Sequence, residues 1–530
     1  MPTTPTIPAM FHGRLRPALF VAMLLVAVLP GCGGGGDAGA PLTPVTPVSG
    51  PAWWGYARDA QHSATGAIAT QDLTRTRWST PLDLAPVQTS GALLIHYGSP
   101  VITTSNTVIV PVKTGAAGGF RFEARTGANG ALIWSATSDY VLPAHNWTPS
   151  YNLALTRSNR LYAPGAGGKL LLRDNPDSAT GTIQSAVFYG ATAYAAAPAT
   201  YDAQVFINTP LTTDTAGNVY FGFVVTGTTP AGLSSGIARI GADGVGSSIG
   251  ASASAGDAAM VKVATNSAPA LSNDGLTLYV AVNAAPVAGA VQAGYLLALD
   301  STTLALKGKV ALVDPGAGTR ARISDDGTSS PTVGPDGDVF FGVLESAFGS
   351  HNGRGWLLHF NAALTTTKVP GSFGWDDTAS IVPASMVPSY TGSSSYLLAT
   401  KYNNYEGVGT GDGRNRVAVL DPSATQTDPI SGRPVMKEVL SILGQTLETG
   451  STVAVKEWCI NTAAVDPLTH SVLVNSEDGY LYRWDLRTPN TFTQRIQLTS
   501  GIGEAYTPTV IGADGAVYAV NNAVLFSIGQ

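Results

Sequence analysis

SPTVGPDGDVFFGV, Ser330 to Val343, followed by WLLHF at Trp356 to Phe360, reads as strand, tight turn, strand, loop, strand. Pro331 favours an extended start, because its ring fixes φ and pushes the preceding residue towards β. Pro335-Asp336-Gly337 is a turn with a mechanism, since Pro presets φ and Gly supplies the positive-φ position. Val339-Phe340-Phe341 and Leu357-Leu358 are short β-branched, aromatic and aliphatic runs, suited to strands buried on both faces.

The same phrase recurs seven more times. It appears from Ser99, Thr148, Thr209, Ala268, Val387, Asn461 and Thr507, with Pro100, Pro149, Pro210, Pro269, Pro388, Thr462 and Pro508 in the place of Pro331. Most copies are about 45–60 residues apart, the period of a propeller blade with insertions as face loops. The expected fold is all-β: eight four-stranded antiparallel blades in a ring, with seven blades as the alternative. High Gly (61) and Pro (34) with only 12% charged residues suit strands and turns over helices.

The only candidate membrane segment is N-terminal. Arg14 and Arg16 precede the apolar run Ala18 to Leu29 and then Leu29-Pro30-Gly31-Cys32. Twelve apolar residues are too few to span a bilayer comfortably and read as an export signal. The ending resembles a bacterial lipoprotein signal, which implies a leader over 1–31 and lipid on Cys32. Residues 32–50 are a Gly-, Pro- and Thr-rich tether with nothing to bury, and residues 51–530 form a single propeller domain. Gly33 after the cysteine favours the outer membrane by the same resemblance, so the chain is expected in the cell envelope, facing the periplasm or the surface.

Cys32 and Cys459 are the only cysteines. With Cys32 lipidated no intramolecular disulfide is left, and there is no C-x-x-C-H for covalent haem. Loss of Arg14 and Arg16 with the leader takes the formal net charge from −6 to −8. No basic stripe remains to suit a nucleic-acid partner.

The opening of the folded part, PAWWGYARDAQHSATG from Pro51 to Gly66, and FEARTGANGALIW from Phe122 to Trp134 carry a family resemblance. They are similar to the pyrroloquinoline-quinone-type repeat propellers of the quinoprotein alcohol dehydrogenase-like superfamily. The last copy has only three strands before Gln530, whereas Arg77-Trp78-Ser79 is a lone strand near the start. A strand over Thr74–Thr80 joined to the C-terminal strands would complete the eighth blade and remove an open edge.

In such a ring, residues just before each marked position gather at one mouth of the axis. They are His96 and Tyr97, then His145, Asn146 and Trp147, then Asn208, Asn266, Ser329 and Met386. Glu457, Trp458 and Asn461, and Glu504 with Tyr506, complete the set. Aromatic faces, carboxylates and amides together suit a polar planar ligand or a hard cation; singly, each also serves to cap a strand end or bind channel water. Phe373 to Asp377 and His351 to Arg354 read as plain turns.

There is no G-x-S-x-G elbow, H-E-x-x-H pair or phosphate loop. Cys459, between Trp458 and Ile460, reads as a small buried hydrophobe. The resemblance implies a quinone held with calcium, for which Glu457, Asn461 and Glu504 are the candidate ligands; the adjacent bridged cysteines of that family are missing. Two functions follow. The first is a non-catalytic binding or scaffold module for an envelope protein, a glycan or a small ligand, with no cofactor. The alternative is an oxidoreductase using pyrroloquinoline quinone and calcium.

Overall fold

The computed structural model describes residues 50–89, 92–327, 329–346, 351–501 and 508–530. Residues 1–49, on which the expected leader, Cys32 and tether fall, lie outside them, as do Glu504 and Tyr506. Among the described residues no helix is long and apolar enough to cross a membrane.

Eight antiparallel sheets follow one another along the chain, plus a two-stranded ribbon at Gln88–Thr89 and Ala92–Leu93. Eight blades, not seven, form the ring. The innermost strands are Val101–Ile102, Ala154–Leu155, Thr212–Thr213, Ala270–Leu271, Thr332–Val333, Ser380–Pro383, Ala464–Asp466 and Val510–Ile511. Hydroxyl groups stitch neighbours together: Thr213 donates to Leu155 O (2.7 Å), Thr212 to Pro269 O (2.6 Å), Thr332 to Ala379 O (2.9 Å) and Ser380 to Ala463 O (2.6 Å).

Blade 5 shows why these sequences make blades. Val339–Val343 and Trp356–Phe360 are buried at every position, as expected of strands packed between two neighbouring sheets. The connecting turn has Gly337 at φ 88°, with Gly337 N donating to Gly334 O and Gly334 N to Asp338 O. Strand Arg75–Pro81 pairs antiparallel with Val524–Gly529, setting Trp78 opposite Ser527 and Ser79 opposite Phe526. Blade 8 is therefore built from both chain ends. Trp78 fixes the seam further, donating its indole N–H to Gly127 O (2.9 Å) and packing on Tyr518.

The far end of the axis is floored by the segment Trp53 to Gly66. Trp53 exchanges backbone hydrogen bonds with Ile102. The carbonyls of Trp54, Ala60, Gln61, Ser63 and Ala64 then accept the amides of Leu155, Leu271, Val333, Ile381 and Val465 in turn. The segment so visits blades 1, 2, 4, 5, 6 and 7. It curls through left-handed backbone at Ala57, Arg58, His62 and Ala64, which L-residues rarely adopt. Asp59 holds the curl, accepting Ser63 N (2.9 Å), Ser63 Oγ (2.5 Å) and Arg58 Nη1 (2.9 Å).

Blade 5 carries three strands in its sheet, with only single bridges at Leu357–Gly371 and Phe360–Thr367 beyond them. A long hairpin of blade 6, Arg416–Thr427 and Pro434–Leu443, covers that edge: Met436 N donates to Pro370 O and Val435 joins the blade 5 core. At its tip Asp428, fully buried, accepts His351 Nε2 (2.9 Å) and Ser372 Oγ (2.5 Å) and pairs with Arg354 (3.5 Å). His351 lies flat on Trp356, 4.1 Å between ring centres. Burial alone would raise the Asp428 carboxyl, but hydrogen bonds from His351, Ser372 and Ser431 outweigh it and hold the group well below the usual range. His351 to Arg354 is thus a clasp and not a plain turn.

Removal of residues 51–80 takes away both the floor and the outer strand of blade 8. The shortened protein is expected to unfold or aggregate; an unchanged melting temperature by circular dichroism would refute this. Asp428→Ala leaves Arg354 buried without its counter-ion and should cost ~3–5 kcal/mol by denaturant unfolding, with Asp428→Asn losing less.

Candidate functional site at the channel mouth

The innermost strands run from the mouth to the floor, so the segments feeding them from the mouth set what lines it. Asn208 and Asn266 precede blades 3 and 4. Asn208 Nδ2 donates to Val263 O (2.9 Å), and the Asn266 amide N donates to Asn208 O (2.9 Å). Asn266 Oδ1 accepts Ser150 N (3.0 Å), while its Nδ2 lies 3.2 Å from His96 Nδ1. His96 belongs to blade 1, three blades from Asn266, so this contact spans the channel. The imidazole also stacks on Trp147, 5.2 Å between centres and 20° between planes. Burial pushes His96 down to about 4, with Asp376 acting against it and Lys401 with it. It is therefore neutral at pH 7, and Nδ1 serves as acceptor for the Asn266 amide.

The opposite wall is ionic. Lys401, 1% exposed, sits 4.0 Å from Asp376. Burial works against its charge, yet Asp376, Cys459, Asp377 and Glu457 together raise its pKa. Asp377 accepts Thr400 Oγ1 (2.6 Å), and its backbone N donates to Ser329 Oγ (3.2 Å). Burial lifts the Asp377 carboxyl to about 7, against the pull of Lys401. Asp326 is lifted to about 6, first by burial and then by Asp376 and Asp325, with Arg322 opposing. Two raised carboxyl groups, one buried lysine and a neutral imidazole around one opening are what functional sites concentrate. Beneath them Tyr56, rising from the floor, shares a hydrogen bond with Thr378 (2.8 Å) and donates to Asn461 Oδ1 (3.4 Å).

The structure brings His96, Trp147, Asn208, Asn266, Ser329, Glu457 and Asn461 to this end of the axis. Tyr97 is buried but donates to Asp83 (3.0 Å), which pairs with Lys113. Trp458 belongs to the core between Tyr482 and Phe492. His145 and Asn146 lie exposed on their loop, where His145 Nδ1 bonds Pro143 O. Met386 is placed elsewhere. The innermost strand of blade 6 is Ser380–Pro383, ahead of the repeat mark at Pro388, and Met386 follows it in a 3-10 turn inside the core. The segment that feeds this strand is Trp375-Asp376-Asp377-Thr378, and Lys401 comes from the next strand, Tyr396–Tyr402. A lysine and a threonine inside the apolar run YLLATKY were the available signal. Glu504 and Tyr506 lie outside the described residues.

No protein-family model matches the chain, and no curated protein matches its sequence. Solved structures do match. A europium-containing methanol dehydrogenase aligns over 89% of this chain and 89% of its own, with TM-score 0.53 and 9% identity. A quinohemoprotein alcohol dehydrogenase from Comamonas testosteroni aligns over 92% of this chain and 82% of its own, with TM-score 0.54 and 10% identity. The fold is that of the quinoprotein alcohol dehydrogenases. At such identity the quinoprotein likeness concerns the fold and not the chemistry.

Whether a quinoprotein cofactor suits these residues is a question of charge. Pyrroloquinoline quinone is a flat tricarboxylate and calls for cations and a free aromatic face. Among the described residues the mouth offers Asp326, Asp376, Asp377 and Glu457 against Lys401 and Arg322, and Lys401 is already beside Asp376. Trp147 has one face taken by His96. Among the described residues this donor set suits a cation better than the tri-anionic quinone.

The Asp377 shift has a sign. A carboxyl raised to about 7 from 3.8 favours the folded protein below pH 4 and loses that contribution as pH rises through 7. Asp377→Asn should therefore raise the melting temperature at pH 8, by about 2 °C or more, and change little at pH 4. Melting curves of the two proteins across that range check it.

Proposed function

We propose that this chain is a lipid-anchored envelope propeller that works as a non-catalytic binding module. Its channel mouth receives a small polar ligand, or a polar side chain of an envelope protein or glycan partner, and the face loops frame the contact. The observation that carries this reading is the excess of carboxyl groups at a mouth walled by the half-buried Trp147 and Trp375. An acid-rich concave site with aromatic walls favours cationic or hydrogen-bond-donating guests. The leader-like N-terminus and Cys32 supply the anchor and the exported location.

Capture from envelope extracts with the full chain, wild type against Trp147→Ala and Asp326→Asn, tests this. A partner held by the wild type and lost from both variants supports the reading, and equal capture by all three overturns it.

The quinoprotein alternative draws on the shared fold and on carboxyl groups able to hold calcium. It predicts that pyrroloquinoline quinone with calcium raises the melting temperature of the purified chain and permits dye-linked alcohol or sugar oxidation. No shift at saturating cofactor removes it.

A further inference from the structure

We propose a second site, for a thiophilic divalent metal such as Zn2+, made by Glu457, Cys459 and Glu477. It shares Glu457 with the acid set of the mouth, but its test reads the metal alone. Among the described residues these three form the one group whose possible ligand atoms, a thiol sulfur and two carboxylate oxygens, all lie within 4.8 Å of one another.

Two separate segments deliver them. Glu457 and Cys459 flank Trp458 in the segment that leads to strand Ala464–Asp466, and Trp458 itself is buried in the core. A buried amide fixes that segment: Asn403 Oδ1 accepts Trp458 N (3.2 Å) and its Nδ2 donates to Trp458 O (3.1 Å). Both backbone groups between the two ligands are thereby tied to one side chain that is itself fully buried. Such outer support is what orients metal ligands in built sites. Glu477 arrives from the turn after strand Ser471–Asn475, where Asp478 bonds Thr446 (2.7 Å) and the Tyr480 amide (3.0 Å) and holds the turn in place.

The chemistry of the set chooses the ion. Cys459 is 5% exposed, and both glutamates are half-buried. Three acids this close repel one another once ionised, and Lys401, whose charge Cys459 and Glu457 favour, is shared with Asp376 and Asp377. A divalent cation removes that repulsion. Carboxylates alone would suit calcium or magnesium, but a thiolate selects zinc-like ions. Small rotations of the half-buried glutamates would bring the donors to the ~2.0–2.3 Å bonds such an ion needs, leaving a fourth position for water. Binding displaces the thiol proton, so affinity falls as pH falls.

The test uses the full chain, stripped of metal with a chelator and titrated with Co2+ as a visible stand-in for Zn2+. One Co2+ per chain, a thiolate-to-metal charge-transfer band, and its displacement by Zn2+ are expected. Cys459→Ser should abolish the band, and Glu477→Gln should weaken Co2+ binding by about tenfold or more. Metal-free melting curves show whether each variant folds. Should Cys459→Ser fail to fold, Glu477→Gln, a change at a half-buried turn, decides alone. No band in the wild type, or binding indifferent to Glu477→Gln in a folded variant, overturns the site.

Discussion

The ring depends on a short stretch of backbone that belongs to no blade. Trp53 to Gly66 gives its carbonyls, one after another, to the innermost strands of six blades. Those strands are only two to four residues long, too short to hold position by their own ladders. Their inward-facing amides would otherwise meet an open channel. Four non-glycine residues accept left-handed backbone for the curl, at ~1–2 kcal/mol each, and the hydrogen bonds to Asp59 together with the buried carbonyl–amide contacts offset that strain.

With the floor set, the mouth can carry charge. Placing Lys401, Asp376 and Asp377 under near-complete burial is unfavourable for stability on its own, and the raised carboxyl of Asp377 shows that cost directly. Rigid strands on every side let the protein sustain such a cluster without collapse. The two ends of the axis thus divide the work. Backbone geometry is fixed at the floor, while side-chain electrostatics is concentrated at the mouth.

Much of the architecture was legible because each blade repeats one physical sentence: extended start, Gly turn, buried strand. Turn residues such as Gly337 and paired apolar runs such as Val339–Val343 are local, and local rules read well from a chain. The site was less legible. Pro388 imitates a blade start, yet it follows the innermost strand, so the sequence pattern places Met386 at the mouth and reads Phe373 to Asp377, with Asp376 and Asp377, as a plain turn. Lys401 is hidden in an apolar strand, because a lone lysine gives no spacing pattern. The Asp428 clasp joins residues far apart in sequence, and no periodicity reports such a pairing. Asn266 and His96 did stand at predicted positions, but their contact across the axis is a property of the assembled ring.

That contact gives the molecule a direction. The Asn266–His96 contact marks one end of the axis and the Trp53–Gly66 segment closes the other. Gly50, the first described residue, lies beside Arg157 in a turn on the floor side. The entry of the described chain thus lies at the backbone-closed end of the axis and not at the acid-bearing one.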